Sequence, residues 1–182
     1  MKFKFVHNNI NVLDLEKSIG FYEDSHNAIS NFLRKHCKEN WVIFCIGTDR
    51  YIGDCLGPLV GTFLTKLDIS PPIFGTLSQP VHAINLRKNI MLAKSIYPNH
   101  KIIALDACLG SSDNIGSIQI KTTPIFPGKG VGKKLPPIGD ISIIGIVDST
   151  KEGQFLSMHS IRLHLIMQIA EVITKGIYDA FK

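Results

Sequence analysis

Two aspartates stand where short apolar runs give way to glycine-rich or acidic loops. Asp54 follows Phe44-Cys45-Ile46-Gly47 in the loop Gly53-Asp54-Cys55-Leu56-Gly57-Pro58, and Asp106 follows Ile102-Ile103-Ala104-Leu105. Each run reads as a buried parallel strand with an acid at its carboxyl end. If the two strands lie side by side, both carboxylates project into one crevice. Two carboxylates a few ångström apart do not both ionise cheaply. One then holds a proton near neutrality while the other acts as a base, an arrangement able to activate water against a peptide carbonyl. The residue types admit a plainer reading as well. Asp54 can cap a helix that carries Pro58 in its first turn, and Asp106 can bind backbone amides in a tight turn.

Other side chains near these loops widen the candidate set. Thr48, Asp49 and Arg50 occupy the loop after the first strand, where Arg50 can meet a substrate carboxylate or pair with Asp49. His82 follows the second strand and can donate to a substrate carbonyl, or serve simply as a structural or surface histidine. Lys129, with Lys133 and Lys134, forms a basic cluster suited to an acidic segment or simply to solubility. Cys55 and Cys108 accompany the two aspartates, and neither has an activating histidine beside it in sequence, so both read as reduced packing residues, with a redox or soft-metal role as the alternative. The four cysteines show no CxxC spacing, and the glycines match neither a P-loop nor a dinucleotide fingerprint. No cofactor and no metal are expected. His159 and His164 fall in the last helix and do not read as ligands.

The elements that must position these residues follow from hydrophobic periodicity. Ile29, Phe32, Leu33 and His36 recur at helical spacing after Asp24 or Ser25 as a cap, which predicts a helix ending near Asn40. Strands are expected at 41–46, 72–77 and 101–105, with helices at 57–67 and 85–97 between them. That alternation signals βαβ units and a parallel sheet with helices on both faces. Prolines 71 and 72 place the second of these strands at or near an edge. Asp106 then terminates the third. Gly116–Ile120 alternates as a half-exposed, antiparallel strand, 123–137 is too rich in glycine and proline for a regular element, 141–147 is a buried strand, and 155–181 is a long helix with Ile161, Leu165, Ile169, Val172 and Ile173 on its apolar face.

At 182 residues and 45% hydrophobic content, one substantial core is expected, and the chain reads as a single α/β domain: residues 1–40 as an extension with a covering helix, 41–182 as the core. No apolar run approaches the roughly 18–20 residues of a membrane span and no signal peptide is evident, so a cytoplasmic, membrane-free protein is expected. The net charge of +5 is scattered rather than blocked and no nucleic-acid-binding module is recognisable, which argues against nucleic acid as a partner.

The Gly47…Pro58 segment, the strand ending in Asp106-Ala107, the Gly116–Ile120 strand and the Pro127–Gly132 loop together resemble the YyaC-type sporulation family over roughly residues 41–182. That family is similar to bacterial germination protease, which degrades small acid-soluble spore proteins, and more remotely to hydrogenase maturation proteases. The resemblance implies a three-layer α/β sandwich with a mostly parallel central sheet, of the phosphorylase/hydrolase-like kind. It also implies an endopeptidase with Asp54 and Asp106 as the catalytic pair, a protein or peptide substrate such as a small acid-soluble spore protein, and a forespore compartment. The chain is considerably shorter than germination protease. The maturation proteases complete a nickel site with a histidine downstream of their second carboxylate, whereas no histidine stands between His100 and His159 here. Two rivals to the endopeptidase remain: a catalytically silent peptide- or protein-binding module of the same fold, and a metal-dependent maturation protease.

Overall fold

The computed structural model describes residues 16–19, 25–38, 40–128, 135–149 and 161–182. Buried apolar runs make its sheet. Trp41–Cys45 (β2) is buried at every position, as a strand covered on both faces must be. The other strands of the sheet are Glu16–Ile19 (β1), Ile73–Phe74 (β3), Lys101–Gly110 (β4), Ile118–Lys121 (β5) and Ile141–Ser149 (β6), in the order β1-β5-β6-β4-β2-β3. β2 runs parallel to β3 and to β4, and β4 parallel to β6. β5 runs antiparallel to both β6 and β1. The result is an α/β fold with a mixed, mostly parallel sheet.

Four helices are present among the described residues: Ser25–His36 (α1), Leu56–Leu64 (α2), Leu86–Ile96 (α3) and Leu163–Phe181 (α4). The period-2 alternation of the strands sorts them onto two faces. Ile43, Cys45, Ile103, Leu105 and Ile143 join Ile29 and Leu33 of α1, Leu56 and Val60 of α2, and Ile169 and Ile173 of α4 in one cluster. Val42, Phe44 and Ala104 face the other way and meet Leu86 and Ala93 of α3 together with Ile125 and Ile138. Each large side chain enclosed in this way contributes about 1.5–3 kcal/mol of burial. Arg34 near the end of α1 donates to the Asp179 carbonyl of α4, and Asp179 also pairs with Lys175 and Lys182.

Several boundaries differ from the sequence expectations. α1 stops at His36, with the basic residues Arg34, Lys35 and His36 in its last turn, of which the cations Arg34 and Lys35 suit its carbonyl terminus. Asp24, the alternative cap, lies outside the described residues. β3 is only two residues long, although it does occupy the sheet edge as its prolines predict. α4 begins at Leu163 rather than near 155, and residues 161 and 162 are not helical. Ile161 is nevertheless buried, while the helix itself buries Ile166, Ile169, Ala170, Ile173 and Ile177. β1 forms in a stretch where the apolar pattern predicts no strand.

The change that matters most for function is in β4, which does not end before Asp106 but continues to Gly110. β2 pairs with it only as far as Cys45↔Leu105, whereas β6 accompanies it through Cys108↔Ile146 and, after a bulge, Gly110↔Ser149. Asp106 therefore lies inside the strand, at the first position where β2 no longer lies alongside.

Candidate active site

β2 and β4 are neighbours whose chains leave in opposite directions. From β2 the chain moves outward to β3 through α2, and from β3 it returns past β2 to β4 through α3 on the opposite face. This makes the carboxyl ends of β2 and β4 the switch point of the sheet.

Hydrogen bonds fasten the loop that leaves β2. The Ile46 N–H donates to the Leu105 carbonyl at 2.7 Å, Gly47 N–H to Val81 at 2.8 Å, and Thr48 N–H to the Asp54 carbonyl at 2.9 Å. Gly47 has φ +141°, and a Cβ there would sit 2.0 Å from the Asp54 carbonyl oxygen. Only glycine fits both conditions. Asp54 closes a single 3-10 turn, Ile52–Asp54, directly before α2. The cap position of α2 belongs to Cys55 and carries no side-chain cap bond, so the capping alternative for Asp54 does not hold. Pro58 does fall in the first turn of α2, as expected.

Both carboxyl groups are partly enclosed, and both are shifted. Asp106 is raised to about 8, chiefly by burial and in addition by the nearby Asp54 charge, against an opposing backbone hydrogen bond at Ala107. That bond runs from the Ala107 N–H to Asp106 Oδ1 at 2.9 Å. Burial raises Asp54 to about 6 against the opposing effect of the Thr48 amide. The two side chains thus feel each other, and near neutrality the pair holds one proton, mostly on Asp106.

The surrounding candidates separate into near and far. The Cys55 thiol donates to the Ile52 carbonyl at 2.9 Å, and burial raises its pKa. Burial and the Asp106 charge raise Cys108 likewise. Both thiols therefore stay protonated, which suits packing and not attack. Thr48 Oγ1 accepts from the Arg50 N–H at 3.4 Å, while Asp49 and Arg50 are exposed and form no ion pair with one another. His82 sits apart, in a groove of about 460 Å³ that also includes Phe74, Gln79, Val81, Asn89 and Leu92; neither Asp54 nor Asp106 lines it. Lys129, Lys133, Lys134 and His159 lie outside the described residues, and His164 is exposed. Among the described residues no three of the His, Cys, Asp and Glu side chains converge as metal ligands would.

One further acidic residue belongs to this end of the sheet, and sequence reasoning missed it. Asp148 lies near the carboxyl end of β6, opposite Leu109 of β4, and its Oδ1 accepts from the Ser149 N–H at 2.8 Å. Its signal matches that of Asp106: an apolar strand running into an aspartate. Among the described residues no helix is long and apolar enough to cross a membrane.

A family model described as "Protein of unknown function (DUF1256)" matches residues 17–176. The chain is also 42% identical over 150 residues to the uncharacterized protein YyaC of Bacillus subtilis (strain 168), a match covering 82% of this chain and 73% of that protein. No solved structure matches.

Proposed function

The chain belongs to the DUF1256 family, and from that premise we propose that it is an endopeptidase in which Asp54 and Asp106 activate water. The observation that carries the reading is the split between two coupled carboxyl groups at a sheet switch point, about 6 for Asp54 and about 8 for Asp106. Near neutrality the Asp54 carboxylate takes a proton from water as the oxygen adds to the peptide carbonyl carbon. Asp106 gives its proton to the carbonyl oxygen. The tetrahedral diol then collapses: Asp54 returns its proton to the leaving nitrogen, the C–N bond breaks, and Asp106 recovers a proton from the diol. Each group ends in its starting state and the stoichiometry is one water per bond.

The finer assignments rest on the resemblance to germination protease: a phosphorylase/hydrolase-like sandwich, a sporulation role, and small acid-soluble spore proteins as substrates. Thr48, Asp49 and Arg50 border the loop that carries Asp54 and serve as substrate contacts, with Lys129 in the glycine-rich loop as a further one. The deciding experiment is mass spectrometry of a small acid-soluble spore protein after incubation with the wild type and, in parallel, with Asp106→Asn. Defined fragments from the wild type alone are expected. Fragments from both proteins would remove Asp106 from the mechanism. None from either, with the wild type folded, would favour a silent binding module.

A further inference from the structure

The groove beside β3 belongs to neither aspartate, yet it is joined to their loop by a hydrogen-bonded bridge. Val81, on its wall, pairs in parallel with Ile46, and its carbonyl accepts from the Gly47 N–H at 2.8 Å. Ile46 is bonded in turn to Leu105, the residue before Asp106. Two strand spacings of about 4.8 Å therefore separate the groove wall from the Asp106 position, which is about three residues of extended chain.

The lining has a definite chemistry. It contains no lysine, arginine, aspartate or glutamate. Asn85 braces the turn that lines the groove: its Oδ1 accepts from the His82 N–H at 2.9 Å and its amide donates to the Pro80 carbonyl at 2.9 Å. Asn89 donates its amide N–H to the Asn85 carbonyl at 3.0 Å, which leaves its side-chain oxygen to accept. His82 Nδ1 accepts from the Ile84 N–H at 3.3 Å, so a neutral ring carries its proton on Nε2 and can donate. Phe74, stacked on Phe44 at 5.0 Å, and Leu92 add apolar surface. β3 is the last strand of the sheet, and among the described residues none pairs with its outer side. An open strand edge beside uncharged donors and acceptors is suited to an extended polypeptide, which docks by main-chain bonds and alternate side-chain pockets.

We propose that this groove holds an extended, uncharged stretch of a polypeptide substrate about three or more residues from the bond that Asp54 and Asp106 cleave. The inference rests on the peptidase reading for its cleavage site and on the groove alone for its binding. The probe is a pool of twelve-residue synthetic peptides with alternating apolar and uncharged polar side chains, titrated into isotope-labelled Asp106→Asn protein and followed by backbone amide shifts. Shifts concentrated at residues 73–92 are expected, with apparent Kd weakened at least about fivefold by adding Asn89→Arg, roughly 1 kcal/mol. No shifts at millimolar peptide, shifts confined to other elements, or a Kd unmoved by Asn89→Arg would overturn the groove. Should Asp106→Asn fail to fold, Asp54→Asn takes its place. Digestion of the same pool by the wild type separates the two claims. A groove footprint without cleavage ends the peptidase reading and keeps the groove, and cleavage without a footprint does the reverse.

Discussion

At the scale of single residues, Asp54 and Asp106 differ in surroundings more than in type. Asp106 is held within a strand with its charge opposed by burial and by Asp54, and Asp54 lies in a turn where a backbone amide relieves part of the same cost. Asp54→Asn and Asp106→Asn should each lower peptide turnover by about 10²- to 10⁴-fold, the usual worth of a positioned acid or base. Circular dichroism should show both variants folded. The wild-type rate should follow a bell-shaped pH profile. It falls below about 6 as Asp54 gains a proton and above about 8 as Asp106 loses one. Initial rates between roughly pH 4.5 and 9.5 test this, and a profile flat across that range would break the acid–base assignment. Both aspartates are legible in the sequence from their place after apolar runs. Their unequal proton affinities are not, because burial and mutual charge arise only when separate strands meet.

At the scale of elements, the site depends on how closely α2 approaches β2. A Cβ on Gly57 would stand 2.1 Å from the Ile46 carbonyl oxygen, a contact that no rotamer relieves because both partners are backbone. Gly57→Ala should cost about 2–3 kcal/mol, within the range for overpacked interior positions, and displace the turn that carries Asp54. Urea denaturation measures the first effect, and a parallel loss of turnover per folded molecule measures the second. An unchanged midpoint would mean that α2 can slide without penalty. Helix and strand types are readable here because the apolar period switches between 2 and 3.6. The ends are less so. β4 runs past Asp106 because β6 continues beside it, and polar Asp106 and Cys108 break the apolar signal at the point where that partner sustains the ladder.

At the scale of the whole molecule, the fold carries an electrostatic cost that grows with pH. The Asp106 carboxyl moves from 3.8 to about 8 on folding, so the native state binds that proton more tightly than the unfolded chain. Its contribution to stability is fully present below about 4 and is lost progressively as pH rises toward about 8. Asp106→Asn should flatten this dependence and be more stable than the wild type at about pH 9 by at least about 1 kcal/mol, since each tenfold difference in proton affinity between folded and unfolded chain is worth about 1.4 kcal/mol. Chemical denaturation at about pH 5, 7 and 9 tests it, and parallel pH dependences for the two proteins would contradict it. The sequence alone determined the α/β class, the edge position of the Pro71-Pro72 strand, the antiparallel strand after Gly116 and the presence of two acids following apolar runs, because each is written in local periodicity and turn chemistry. Only the tertiary structure decided that Asp54 raises Asp106, that Asp54 caps no helix, that His82 belongs to a separate groove and that Asp148 ends the neighbouring strand. Those facts depend on which strands become neighbours and how deeply each side chain is enclosed, and neither distance nor burial is encoded in the order of residues along a single strand.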